Sequence, residues 1–173
     1  MPPAVRKLRR RCAAVLDELR LPQPFSLDTL CPHIAGLRGR PLHLHPLPAQ
    51  AASAGACGLW LATATDDHVF VEQRTVRLHQ EHIVLHEIGH MLLGHQGLSL
   101  SGRLPETLLP DLSPRLVRHL LARADYSTEQ EQEAEMLASM IRTDTGRTRP
   151  PVPTGALGRL RAAFGVRDGG HGG

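Results

Sequence analysis

Aromatic residues are scarce in this sequence: one Trp, one Tyr and three Phe make up 3% of its 173 residues. A platform of stacked aromatic side chains for single-stranded nucleic acid is therefore not expected. No run of about 18 apolar residues occurs, so we predict no membrane-spanning segment and no membrane partner. With 41% hydrophobic residues, mostly Leu, Val, Ile, Ala and Met, the chain has the length and composition of one globular domain with a substantial core.

Cysteine is also rare, and its spacing excludes two common frameworks. Cys12, Cys31 and Cys57 are odd in number and widely separated, unlike the pairs of a zinc ribbon or a disulfide scaffold. The basic N-terminus lacks the apolar stretch of a signal peptide, because Asp17 and Arg20 interrupt it. We therefore expect reduced thiols in a cytoplasmic protein.

Lysine is nearly absent, since Lys7 stands alone beside 19 Arg. The arginines gather at the two ends of the chain, in the stretch RKLRRR at 6–11 and again over 142–173. The net charge of +3 is compatible with acidic partners or nucleic acid, but this distribution is more typical of solvated chain ends. We expect no direct contact with nucleic acid, and a DNA-binding regulator is the least favoured function.

Hydrophobic spacing predicts an α+β fold, a mainly helical single domain with a small three-stranded antiparallel sheet. The predicted helices cover 4–20, 26–37, 75–94, 113–124 and 127–142, and the predicted strands cover 42–45, 57–63 and 68–73. The predicted domain is 1–143, in which 1–40 is helical, 41–74 forms the sheet and 75–143 holds the remaining helices, and a Pro/Gly/Arg-rich tail follows at 144–173.

The stretch HEIGH, from His86 to His90, carries the chemistry. At about 100° per residue of a helix, the two histidines lie about 40° apart on one face, so both imidazoles can reach one ion. Glu87 projects to the side, where it can hold a water beside that ion. Gly89 is costly inside a helix and indicates the close approach of another backbone. We predict that 75–94 is a zincin-like active-site helix that binds Zn²⁺; the alternative is an ordinary core helix with surface histidines.

A zinc site with an open position needs a third protein ligand, and several histidines compete for it. His95 on a continued helix would point about 140° away from His90. His79 and His82 share the imidazole face, but four ligands from one straight helix are unusual. These two are better suited to the wall of the cleft.

The last predicted helix offers a carboxylate instead. Glu133 lies inside its apolar arc, where a lone carboxylate is costly unless it is paired or binds a metal. Glu131 and Glu135 point the other way and are expected to face solvent. Glu133 is therefore the favoured third ligand, and the alternative is a surface glutamate at the edge of the arc.

HEIGHMLLGH, followed downstream by EQEAEMLAS, resembles the signature of the ImmA/IrrE metallopeptidase family, a HExGH helix and a later E-x-E-A-[ND]-x-F-A helix. The resemblance covers about 55–142. It implies that His86, His90 and Glu133 bind Zn²⁺ and that Glu87 is the catalytic base. It also implies a bacterial protein of transcription regulation and stress response, whose partner is a helix-turn-helix repressor.

Two classes of function remain open. The leading hypothesis is a zinc-dependent metalloendopeptidase, in which Glu87 takes a proton from water and passes it to the leaving amine. Tyr126 and His119 are both possible second donors to the oxyanion, and neither is assigned. The alternative is a non-catalytic, zinc-containing binding module of the toxin–antitoxin type, which would regulate the repressor by docking on it.

Overall fold

The computed structural model describes residues 2–53, 55–96, 98–99 and 126–147, and its fold is mixed α+β. Five helices occur in these residues: α1 (Pro3–Leu19), α2 (Leu27–Arg38), α3 (Ala49–Ser53), α4 (Arg77–Leu92) and α5 (Thr128–Arg147). They accompany three main strands, β1 (Leu42–Pro46), β2 (Gly58–Ala62) and β3 (Asp67–Val71), and a two-residue β4 (Leu98–Ser99). The predicted α+β class and the three predicted strands are confirmed.

The sheet has the strand order β1-β3-β2-β4 and mixed strand directions. β2 and β3 form an antiparallel hairpin in which Trp60 is opposite Val69, whereas β1 runs parallel to β3, with His43 opposite His68. The prediction that all three strands are antiparallel is therefore wrong for β1. A parallel neighbour needs a crossover rather than a tight turn, and the chain passes through α3 and β2 between β1 and β3.

A buried aspartate ties α2 to the hairpin. Asp67 is fully buried and accepts hydrogen bonds from Arg38 Nε at 2.6 Å and from Trp60 Nε1 at 2.9 Å. The Arg38 guanidinium also lies 5.3 Å from the centre of the Trp60 ring. Because a buried carboxylate must be paired, this group fixes the position of β2, whose first residues reach the candidate site.

The core lies where α4 crosses the sheet and packs against α5, which also packs on α1. Its fully buried aliphatic residues include Leu30, Ile34, Leu85, Ile88, Leu137 and Ile141. Burial of each such side chain contributes about 1.5–3 kcal/mol. α4 therefore has an apolar back, as its hydrophobic pattern predicts, and its histidine face is left for the site.

Some predictions fall outside the residues that the structure describes. These are the helix 113–124, which contains His119, and the part of the tail that follows Arg147. α5 itself extends beyond its predicted end at Arg142. Among the described residues no helix combines the length and the apolar character needed to cross a bilayer.

Candidate metal centre

Two histidines of α4 lie close together on one face of the helix. His86 Nε2 lies 3.1 Å from His90 Nε2, as expected for side chains one helical turn apart. His90 is buried, and the burial together with the neighbouring His86 and His95 lowers its pKa to about 3. His90 is therefore neutral at ordinary pH, so one ring nitrogen has a lone pair available for a ligand bond.

A carboxylate from α5 completes a group of three. Glu131 Oε2 lies 3.2 Å from His86 Nε2, and Glu131 Oε1 lies 3.6 Å from His90 Nε2. Within the described parts of the chain, these three side chains are the group whose ligand atoms lie close enough together to hold a metal ion. The HEIGH helix thus contributes two members of a group that could hold a metal ion, and the third member is Glu131.

The structure does not bring Glu133, the predicted third ligand, to the two histidines. Its carboxylate lies 2.8 Å from His95 Nε2 and 2.5 Å from Arg11 Nη1. The predicted inward direction holds, because the Glu133 side chain is 16% exposed against 48% for Glu131. α5 packs against two helices, and Glu133 faces the α1 side.

The packing at Gly89 explains why Glu131, and not Glu133, lies beside His86 and His90. A Cβ atom built on Gly89 would lie 3.0 Å from the Ala134 carbonyl oxygen, so the backbone approach predicted from this glycine is confirmed. Residues three apart on a helix share a face, and Glu131 precedes Ala134 by three. The face of α5 that contacts α4 at Gly89 is therefore the face that carries Glu131. In the sequence, the small residues Gly89 and Ala134 were the pattern that could have indicated this contact.

Glu87 is buried beside this group and does not belong to it. A Cβ atom built on Gly58 would lie 2.6 Å from Glu87 Oε1, so the carboxyl group rests against the first residue of β2. Burial, and then the charge of Glu131, raise the pKa of Glu87 to about 8, although a backbone hydrogen bond with Trp60 lowers it. The lateral position predicted for Glu87 agrees with this geometry.

The group faces a cavity of about 550 Å³. Its walls are the beginning of β2 with the loop before it, the histidine face of α4, and residues at the start of α5; they include Cys57, His79, His82, Tyr126 and Glu131. His79 and His82 thus line the cleft as expected. The Tyr126 ring stacks on the His90 ring at 3.7 Å and 14°.

Tyr126 keeps its proton in this environment. Burial, followed by the charges of Glu87 and Glu131, raises its pKa above the usual value. A protonated phenol can donate a hydrogen bond, so Tyr126 stays a predicted hydrogen-bond donor of this cavity. The other candidate, His119, lies outside the described residues.

A second cluster of histidines lies on the far side of the sheet and is separate from this cavity. His43 stacks on His68 with ring centres 5.0 Å apart, and His45 Nε2 lies 3.0 Å from His68 Nδ1. Burial and the neighbouring imidazoles lower the pKa of His45 to about 4. These rings do not form a metal-binding group of the kind found on α4 within the described residues.

Comparison with protein-family models, with curated proteins and with solved structures finds no match for this chain. The donor chemistry of the site therefore carries the functional argument. Two imidazole nitrogens and one carboxylate are a donor set that suits Zn²⁺, and the neutral state of His90 fits a metal ligand.

Proposed function

We propose that the chain is a zinc-dependent peptidase, and the observation that supports it is the convergence of His86, His90 and Glu131 beside the buried Glu87. Three protein ligands with an open fourth position are typical of catalytic zinc sites, whereas structural sites are closed by four protein ligands. The cavity in front of the group provides the space for that open position.

Glu87 is suited to proton transfer. When bound, zinc supplies Lewis acidity, which acidifies water and polarises a carbonyl oxygen. A cation held by Glu131 would offset the charge that raises the Glu87 pKa, so the pKa would fall from about 8 toward neutrality. A general base works best when its pKa is near the working pH. Glu87 would take the proton of the attacking water at its carboxylate and deliver it to the leaving amine.

A peptide suits the edge of this cavity. β2 pairs with β4 through Leu61 and Ala62, while its earlier residues, Gly58 to Trp60, line the cavity and have no strand partner on that side among the described residues. Backbone groups along such an edge can pair with an extended peptide by strand addition. This favours a protein substrate over a small metabolite.

The partner and the location belong to the same proposal. The resemblance of HEIGHMLLGH and EQEAEMLAS to ImmA/IrrE metallopeptidases supports a helix-turn-helix repressor as the substrate. The free thiols Cys12, Cys31 and Cys57 are compatible with a reducing cytoplasm.

The substitution Glu87→Gln tests catalysis. The glutamine keeps the size but cannot accept the proton, so cleavage should fall by about 10²–10⁴ while zinc content stays near that of the wild type. The assay is co-expression with a helix-turn-helix repressor chosen as the test substrate, read by the repressor's intact mass and by reporter output. Glu81→Gln, on the same helix but 39% exposed, is the matched control. Full derepression by Glu87→Gln with an intact repressor would favour the docking module instead.

A further inference from the structure

The ring of His90 contacts its neighbours through both nitrogens. Nε2 faces His86 and Glu131, so a metal bound there requires the proton of the neutral ring to be on Nδ1. Nδ1 lies 2.9 Å from Nδ1 of His95, which is also buried. For this contact to be a hydrogen bond in the metal-ready state, His90 donates and His95 accepts.

The contact between His95 and Glu133 determines the direction of the hydrogen bond between His90 and His95. His95 Nε2 lies 2.8 Å from Glu133 Oε2, and Glu133 Oε1 lies 2.5 Å from Arg11 Nη1. A carboxylate paired with a guanidinium is ionised and can only accept hydrogen bonds. When its ring is neutral, His95 must therefore carry its proton on Nε2, which leaves its Nδ1 as the acceptor that His90 requires.

Arg11 connects this chain of hydrogen bonds to α1. Its Nη2 donates to the Leu93 carbonyl at 3.0 Å, at the end of α4. Arg11 belongs to the arginine-rich stretch that the sequence suggests to be a solvated end, yet it bridges α1, α4 and α5. Its guanidinium is the fixed positive charge that keeps Glu133 ionised.

We propose that His95, Glu133 and Arg11 are positioning residues that hold His90 in the tautomer and orientation that leave its Nε2 free for the metal. This inference deepens the proposed function and rests on it. Partners of this kind behind a ligand histidine typically change metal affinity by about 10–100-fold. His86 is held less firmly, since its Nδ1 lies 3.6 Å from Glu135 Oε2, on a side chain that is 55% exposed.

Substitutions at His95 separate positioning from packing. His95→Gln keeps an oxygen that can accept from His90 and an N–H that can donate to Glu133, whereas His95→Leu keeps only bulk. We expect His95→Leu to weaken Zn²⁺ and Co²⁺ binding about 10–100-fold, measured by chelator competition at neutral pH. His95→Gln should stay within a few-fold of the wild type.

Substitutions of Arg11 and Glu133, which are more exposed than His95, test the proposal even if His95→Leu does not fold. Arg11→Gln and Glu133→Gln should each weaken binding in the lower part of that range, with the visible spectrum of the Co²⁺ form unchanged, because no ligand is lost. Arg10→Gln, the exposed neighbour of Arg11, is the control and should bind as the wild type does. Unfolding of each metal-free variant in denaturant reports purely structural effects.

The tautomer of His90 can be measured in the absence of metal. In the metal-free protein, nitrogen NMR shifts should place the His90 proton on Nδ1 in the wild type and in His95→Gln, and on both nitrogens in a mixture in His95→Leu. Equal affinity of wild type and His95→Leu, or equal weakening by Gln and Leu, would overturn the proposal. If the wild type binds neither metal, the proposed function fails, and the NMR result alone then decides whether the hydrogen-bond chain acts as described.

Discussion

Gly89 of α4 meets Ala134 of α5 so closely that a Cβ atom on the glycine would lie 3.0 Å from the alanine carbonyl oxygen and 3.2 Å from its Cα. The obstacle is backbone, which cannot swing away as a side chain can. This contact sets the spacing of the two helices that provide His86, His90 and Glu131. The packing of α4 on α5 and the arrangement of these three side chains therefore depend on the same glycine.

Gly89→Ala should separate these helices. Alanine is favoured over glycine in a helix by about 1 kcal/mol. Here the crowding with Ala134 should outweigh that gain, so the substitution should lower the free energy of unfolding. It should also weaken metal binding. Gly36→Ala in α2 is the matched control, since a Cβ there would meet nothing within 4 Å, and it should stabilise by up to about 1 kcal/mol. Denaturant unfolding and metal titration measure both. Equal stabilisation by the two substitutions would contradict the steric argument.

Glu131→Gln should remove a metal ligand. We expect a loss of affinity beyond about 100-fold, larger than for residues that only support a ligand, together with a changed Co²⁺ spectrum. Glu135→Gln is the control: Glu135 contacts His82 at 2.9 Å and lies 3.6 Å from His86, so its effect should be smaller and the spectrum unchanged. Retention of affinity in Glu131→Gln with loss in Glu133→Gln would restore Glu133 as the ligand.

The position of Glu133 shows which contacts a helical wheel can predict. The wheel predicted the relative directions of His86, Glu87 and His90 because all three lie on one helix, where spacing alone determines direction. For α5 it found which side chain points inward, but an inward direction does not say which neighbouring helix it meets. Glu133 meets Arg11, 122 residues away in sequence, and no local pattern contains that contact.

For the sheet, as for the helices, the sequence predicted local features but not the contacts between distant segments. Alternating apolar residues located the three main strands because each strand's pattern is local. The direction of β1 depends on where the chain goes after Pro46, and the crossover through α3 and β2 places β3 between β1 and β2. The pairing of His43 with His68 follows from that path and not from the strand's own residues.

Gly58→Ala should disturb the base without removing the metal. A Cβ atom there would lie 2.6 Å from both Glu87 Oε1 and Ile83 Cγ2. The Glu87 carboxyl is the far end of a flexible side chain, whereas Ile83 is buried and β-branched, so its displacement should lower the stability. We still expect a folded protein with nearly normal zinc content and reduced cleavage of its substrate. Metal analysis and repressor cleavage measure the two effects. Loss of zinc in parallel with activity would mean that Gly58 supports the ligands rather than Glu87.

The pH dependence of stability should report Glu87 in the metal-free protein. Its pKa is raised from 4.5 to about 8 in the folded state, so between these values the folded protein binds a proton that the unfolded chain has released. The contribution of Glu87 to the free energy of unfolding is then greatest below pH 4.5 and is lost as pH rises toward 8. Each unit of pKa difference corresponds to about 1.4 kcal/mol.

Denaturant unfolding with a chelator at pH values from 5 to 8 measures this slope. Glu87→Gln cannot titrate, so its stability should fall less over that range than the wild type's, and the difference between the two proteins should widen toward pH 8. Glu81→Gln should follow the wild-type slope, because Glu81 is an exposed residue of the same helix, paired with Arg77. Parallel curves for wild type and Glu87→Gln would show that the Glu87 carboxyl is not held protonated by burial and by Glu131, and its role as a base tuned by the metal would lose its physical basis.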